Sequence, residues 1–238
     1  MHSLLTPAPR NHTLGDTVLR QIKDWLLSGK LMPGEQLSLR STAEALGVSV
    51  MPVRAAVYQL VADQALEVAP NRSVRVPQMS AEQFCEITNI RLQIEGYAVE
   101  QAAEHASAQL IDLLRNRNDE LARAMAAKDD DKSIVVLLNK ELHFSVYEAA
   151  AMPMLLKIIE SLWLRIGPVL NYDLRAGSER TENQTAVVHH AKMIDALAQA
   201  KGCEAKAALQ EDIKSAFEHI YAKKYSGGAV APHRPKST

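Results

Sequence analysis

Cysteine is almost missing from this chain. Of 238 residues, only Cys85 and Cys203 are thiols. Two are too few for a disulfide framework or a cysteine zinc cluster, so a reducing compartment is expected. Aromatic residues make up only 5% of the sequence, while alanine and leucine are plentiful, which favours packed helices over sheet. With ten glycines and ten prolines, there is no room for long low-complexity linkers. No run approaches the roughly 18 apolar residues of a membrane span. The N-terminus lacks the basic-then-apolar order of a signal peptide, and the cytoplasm is the expected location. An excess of one charge is missing too, since 27 Lys/Arg face 28 Asp/Glu. Residues 1–77 hold eight basic and six acidic side chains, an asymmetry too small to identify a nucleic-acid partner by itself. What remains, 47% hydrophobic and 23% charged residues, is ordinary for a globular protein.

The hydrophobic pattern divides the chain. Residues 1–12, with Pro7 and Pro9, read as a flexible arm. From Thr13 a helical period carries Leu14, Val18, Ile22, Trp25 and Leu26 on one face. Gly29 ends it, and Met32-Pro33-Gly34 forms a turn. Ser38 is placed to cap a short helix through Leu46, and Gly47 breaks that helix. Ser49 is placed to cap a third helix holding Met51, Val53, Val57, Leu60 and Val61, with Pro52 in its first turn. Two strand-like pieces follow, Leu66–Ala69 and Val74–Val76, around the turn Pro70-Asn71-Arg72-Ser73. Three helices and a hairpin over 13–77 outline a winged helix-turn-helix. From 78 to 226 the pattern is helical throughout. Helices are expected at about 80–105, 108–128, 132–150, 153–175, 179–200 and 203–225, an all-α antiparallel bundle. Gly227-Gly228 opens a tail, 227–238, expected to be disordered.

The stretch Leu46-Gly47-Val48-Ser49-Val50-Met51-Pro52-Val53-Arg54 closely resembles the turn and recognition helix of GntR-type regulators. Pro33-Gly34-Glu35 before it and Val68 to Val76 after it fit the same pattern in the same order. The helices behind resemble the FadR branch, with its FCD ligand-binding domain. The resemblance spans about residues 13–225. It implies a mainly α protein that binds double-stranded DNA at a palindromic operator as a homodimer, most simply as a repressor. It also implies that Arg40, Ser49, Val50, Arg54 and Arg72 face DNA. A recognition helix presents its first turns to the major groove, where Arg54 can fork onto guanine or grip phosphate. Arg72 sits where a wing enters the minor groove. Each of these arginines taken alone also reads as a solvated surface charge. Three positions depart from the family pattern: Val50 replaces an arginine, Ala55 a glutamate and Ser73 a glycine. Val50 offers a thymine-methyl contact in place of a charged one.

Four polar residues fall where a helical core is expected to be apolar. Asn139 and His143 are four apart and share a helix face. His190 is flanked by Ala186, Val187, Met193 and Ile194, whereas His189 turns outward. Asp212 lies among Ala208, Leu209 and Ala216. A buried carboxylate is costly unless paired or metal-bound, and two imidazoles, a carboxylate and an amide oxygen suit a first-row divalent ion. Alternatively, the histidines are hydrogen-bonded core residues and Asp212 pairs with His190 or Arg91. The family resemblance implies the metal: FCD domains commonly hold one with Asp or Asn, a His four residues later, and two further histidines. Here Asp212 stands in the last histidine's position. Zn²⁺ fits the set, and Ni²⁺ or Mn²⁺ also qualifies.

The family resemblance further assigns Arg91 to an effector carboxylate, although an Arg91–Glu95 helix pair reads equally well. Arg165, Thr181 and Asn183 are further candidates for the effector site, and Trp163 is expected in the core. The function these residues suggest is regulated DNA binding, with a small organic acid as effector. A metal-dependent enzyme using the same cluster, or a FadR-type regulator that senses an acyl thioester without metal, is the alternative.

Overall fold

A computed structural model of the chain describes residues 14–70, 72–127, 132–175 and 182–225. The expected arm at 1–12, the tail at 227–238, Asn71 and Thr181 lie outside the described residues.

The first unit is a small head. Helix α1 (Leu14–Leu27) buries Val18, Ile22, Leu26 and Leu27, and Gly29 at φ 71° ends its run. Leu14, expected on the same face, is 55% exposed. Helix α2 (Leu39–Ala45) starts at Ser38, whose hydroxyl accepts the Ser41 amide. It ends in a Schellman turn: Val48 N–H reaches Ala43 O and Gly47 N–H reaches Glu44 O. Gly47 takes φ 64° there, a conformation that costs little only without a Cβ. Helix α3 (Val50–Ala62) follows directly and packs Val53, Ala56, Val57 and Leu60 inward against α1. Ser49 occupies its N-cap position, but its side chain makes no capping hydrogen bond.

The wing contains a strand the sequence did not signal. Besides β2 (Glu67–Val68) and β3 (Val74–Arg75), Gln36–Leu37 forms β1, and the sheet order is β1-β3-β2, all antiparallel. Two residues are too short to show alternation, so β1 is defined only by its pairing with β3.

The second unit is an α-helical bundle. Its helices are α4 (Ala81–Ala102), α5 (Ala108–Ala126), α6 (Ser133–Ala149), α7 (Pro153–Arg175), α8 (Thr185–Ala198) and α9 (Gly202–Tyr225). A capping box at Ser80 and Gln83 opens α4. Of the helix expected over 179–200, Thr185–Ala198 forms α8, and Gln184 just before it takes the left-handed region; residues 179–181 lie outside the described residues. Helix α9 packs between α8 and α4, α5 lies against α6 and α8, and α7 lies against α4, α6 and α1. No single described helix is long and apolar enough to cross a membrane.

The apolar core does not stop at the boundary between the units. Val18, Ile22 and Leu26 of the head belong to one continuous buried cluster with Val99, Leu142, Trp163 and Leu209 of the bundle. Within the bundle, α4 and α9 approach closely at two glycines. A Cβ on Gly202 would sit 2.7 Å from the Glu100 carbonyl oxygen, a backbone atom that cannot swing aside. Gly202→Ala is therefore expected to cost about 1–3 kcal/mol through overpacking, read as a lower midpoint in urea unfolding. An unchanged midpoint would mean that α9 can shift without loss.

Candidate metal centre and nucleic-acid surface

Three helices bring their inward polar residues to one point. His143 is on α6, His190 on α8 and Asp212 on α9, and all three are buried. The Nε2 atoms of the two imidazoles lie 3.1 Å apart. Asp212 Oδ2 is 3.5 Å from His143 Nε2 and 3.7 Å from His190 Nε2. Three lone-pair atoms that converge in this way repel one another unless a cation, either a proton or a metal ion, sits among them. A metal with bonds near 2.1 Å places tetrahedral ligand atoms about 3.4 Å apart, and the observed spacings bracket that value. Burial opposes charge on Asp212, but its polar contacts with the His143 and His190 imidazoles outweigh it. They hold the carboxyl well below its usual range.

A second layer orients the first. Tyr147, one turn after His143, donates its O–H to Glu95 Oε2 at 2.5 Å. Its oxygen is left to accept from His143 Nδ1 at 3.1 Å. That order of hydrogen bonds assigns the Nδ1 proton to His143 and directs Nε2 to the cluster. Burial and the facing Glu95 charge push the Tyr147 phenol's pKa well up, so it stays a neutral donor. Glu95 also receives Arg91 through Nε at 2.6 Å and Nη2 at 3.3 Å. Burial opposes the Arg91 charge, but the Glu95 carboxylate outweighs it and the Arg91 pKa rises. The guanidinium also lies over the Trp163 ring, 5.2 Å from its centroid.

Of the sequence candidates, Asn139, His143, Arg91 and Asp212 line one small cavity, with Trp163 and Leu170 among its other walls. Its volume is about 30 Å³, enough for an ion or one or two waters at roughly 10–15 Å³ each. Asn139 is half-buried there, one turn before His143. The Arg91–Glu95 helix pair forms, and Arg91 still faces the cavity. Arg165 does not join the site: it is exposed and lines a groove beside Glu67, Val68 and Gln78 near the wing. Asn183 is exposed, and Thr181 lies outside the described residues. His189, read as outward, is half-buried outside the cluster, beside Asp195 and Glu211. Sequence reasoning missed Tyr147, although the spacing 139, 143, 147 marks a single face of α6.

On the head, Arg40, Ser49 and Arg54 are exposed and Val50 is half-exposed. Met51, one of the apolar residues read in this helix, is 67% exposed, and Tyr58 is 62% exposed. Positions 51, 54 and 58 succeed one another at helical spacing, so α3 presents one open stripe. Arg72 is exposed at the wing turn, with φ 63°.

The buried network generates one prediction independent of any metal. Tyr147→Phe leaves His143 and Glu95 each short of a partner, a loss of about 1–3 kcal/mol. Chemical denaturation should register it, and a stability within error of the parent would show that the network is replaceable.

Residues 14–76 match the family described as bacterial regulatory proteins, gntR family, and residues 86–215 match the FCD domain. The transcriptional regulator McbR of Escherichia coli is 36% identical over 155 residues, 65% of this chain and 69% of that protein. The solved E. coli McbR/YncC structure superposes with a TM-score of 0.81 at 30% identity, covering 90% of this chain and 99% of that one. A probable D-xylose utilization operon transcriptional repressor of Paenarthrobacter nicotinovorans is 27% identical over 187 residues, 76% of this chain and 79% of that protein. A putative GntR regulator from Rhodococcus sp. RHA1 shares the fold, with a TM-score of 0.70 at 21% identity over 87% of this chain and 97% of that one. With a helix-turn-helix and wing in front and an FCD bundle behind, the chain belongs to the GntR family of bacterial regulatory proteins and is a DNA-binding transcription regulator rather than an enzyme.

Proposed function

We propose that this regulator binds a palindromic operator as a homodimer in the cytoplasm, acts as a repressor, and is controlled by a small organic acid bound beside a divalent metal in the helical bundle. The convergence of His143, His190 and Asp212 carries the reading. Two imidazole nitrogens and a carboxylate oxygen are a ligand set for Zn²⁺, with Ni²⁺ or Mn²⁺ also suited. Asn139, on the cavity wall, supplies a fourth oxygen donor. The metal would supply a Lewis-acidic centre on which a carboxylate oxygen can rest. Arg91 spends two N–H groups on Glu95. A guanidinium has five donors, so others remain for the second end of a small acid. A cavity of about 30 Å³ does not receive such an acid without the helices parting. That requirement links occupancy to conformation, because a switching ligand needs a differential affinity for two arrangements.

For DNA, the open stripe of α3 supports major-groove contacts by Ser49, Val50 and Arg54, with Arg40 and Arg72 at its flanks. Ser49 Oγ makes no cap bond in the head, which suits a hydroxyl reserved for phosphate or base. Val50 and the exposed Met51 favour apolar contact with thymine methyls. The repressor named among the relatives supports the sign of regulation. Exposed Met154 and Ile158, one turn apart on α7, support a self-association surface.

Elemental analysis of protein reloaded with Zn²⁺, Ni²⁺ or Mn²⁺ tests the metal. About one ion per chain is expected. His143→Ala and His190→Ala should each lose it together with the stabilisation that a bound ligand confers, whereas His189→Ala should keep both. Absence of metal after reloading would make the cluster a purely structural one.

DNA recognition is tested with an operator selected from random duplexes. Arg54→Ala should weaken that operator by about 1–3 kcal/mol, the worth of a bidentate base contact, with the thermal midpoint unchanged. Affinity within twofold of the parent would remove Arg54 from the interface.

A further inference from the structure

The bundle helix that walls the cavity also grips the DNA-binding head. Helix α7 contributes Trp163, Leu170 and Leu174 to the cavity. One residue after Leu170, the buried Asn171 turns its amide out of the bundle. Its Nδ2 donates to Leu26 O at 3.1 Å and to Leu27 O at 3.2 Å. These are carbonyls of the last turn of α1, the part of a helix that has no acceptor-satisfying amide further along the helix. The turn after α1 sends the amides of Ser28, Lys30 and Leu31 to Asp24 and Trp25. The C-terminus of the head's main core helix is therefore capped from another unit, across 144 and 145 positions of sequence. Gly167, one turn before Asn171, lies against the same carbonyl: a Cβ there would be in ordinary van der Waals contact with Leu26 O, at 3.7 Å. Lys23 of α1 pairs with Glu160 of α7 at 3.1 Å on the same side. Because α3 packs on α1, whatever holds α1 also aims the recognition helix.

We propose that Asn171 is a positioning residue for DNA recognition: its amide latches α1 to α7, so that a change in the cavity wall is delivered to the DNA-binding head. The latch itself stands on the hydrogen bonds alone. Its use as a relay rests on the proposed metal and effector site. Separating α7 from α4 and α9 to admit an occupant would displace Leu170 and Asn171 together, since they are adjacent on one helix.

The experiment is amide hydrogen exchange on the full chain, with Asn171→Leu and Asn171→Asp beside the parent. Leucine removes the donor at similar size, and aspartate adds a charge facing two carbonyl oxygens. Two ordinary hydrogen bonds correspond to exchange faster by about tenfold. That acceleration is expected in α1 and in residues 28–31, greater for Asn171→Asp, with α8 and α9 at parental rates. Selected-operator affinity should fall in the same order. Parental exchange in α1, or a uniform acceleration over every helix, overturns the latch. The second arm adds Zn²⁺ alone. In the parent, exchange should change in α6, α8, α9 and the end of α1; in Asn171→Leu the α1 change should vanish while the others persist. If zinc alters α6, α8 and α9 but never α1, the relay is wrong. If zinc alters nothing, the metal reading fails and the first arm still decides the latch.

Discussion

The bundle is organised by the cost of placing charge where water does not reach. Glu95 is fully buried and Asp212 nearly so, and an uncompensated carboxylate in such a place costs several kcal/mol. Each is met by polar partners, at least one of them from another helix. Glu95 of α4 takes Arg91 from its own helix and Tyr147 from α6. Asp212 of α9 faces His143 of α6 and His190 of α8. His143 and Tyr147 join the two sets. Apolar packing alone would let α4, α6, α8 and α9 slide on one another at small cost. A chain of directional bonds through all four admits one register, and breaking any member leaves its neighbour buried and unpaired. The same register that satisfies the charges also aims three metal-type ligands at one point.

Much of this was readable from the residues because periodicity carries it. The head's helices, the Gly47 turn and the bundle helices follow from where apolar side chains recur. His143, His190 and Asp212 stood out because polar residues interrupted those stripes. What escaped has a common physical reason, namely dependence on a partner distant in sequence. Strand β1 is two residues long and exists through pairing with β3. Gln184 breaks a continuous helical pattern through backbone conformation, without glycine or proline to mark it. Arg165 and Asn183 carry suitable chemistry, but the faces on which they stand are set by tertiary packing. Met51 counts among the apolar residues of its helix, yet it falls on the open side of α3. Tyr147 reads as an ordinary core aromatic until Glu95 is found opposite its hydroxyl, 52 residues away. Asn171 carries no sequence signal at all, since its acceptors are backbone carbonyls of the head.

The continuity of the core across the two units bears on how a signal could travel. If head and bundle touched only through exposed charges, their relative orientation would be soft, because surface ion pairs contribute little. Here the contact includes buried apolar residues of α1 and α7 together with a buried amide. Packed interiors transmit displacement instead of absorbing it. Lys23–Glu160 and Lys140–Asp24 then line the edges of a contact whose centre is already fixed. These contacts tie the head to α7 directly, beyond the chain connection alone.

Energetics limits what can drive such a movement. To turn a population from one state in a hundred to ninety-nine takes a differential affinity of about 5.5 kcal/mol. A charge-assisted hydrogen bond contributes about 1.5–3 kcal/mol, so about two to four suffice, provided they form only in the opened arrangement. In the closed bundle the Arg91 guanidinium is held between Glu95 and Trp163 around a cavity of about 30 Å³, with no room for an anion to meet it. Opening would expose its remaining N–H groups and the cluster at once, so the contacts of a small acid would belong almost wholly to the open state. An anion that stayed within the closed cavity would gain none of these additional contacts, and a ligand without differential affinity for the two states shifts neither. An effector acting through this cavity would therefore have to be larger than the space the closed bundle holds.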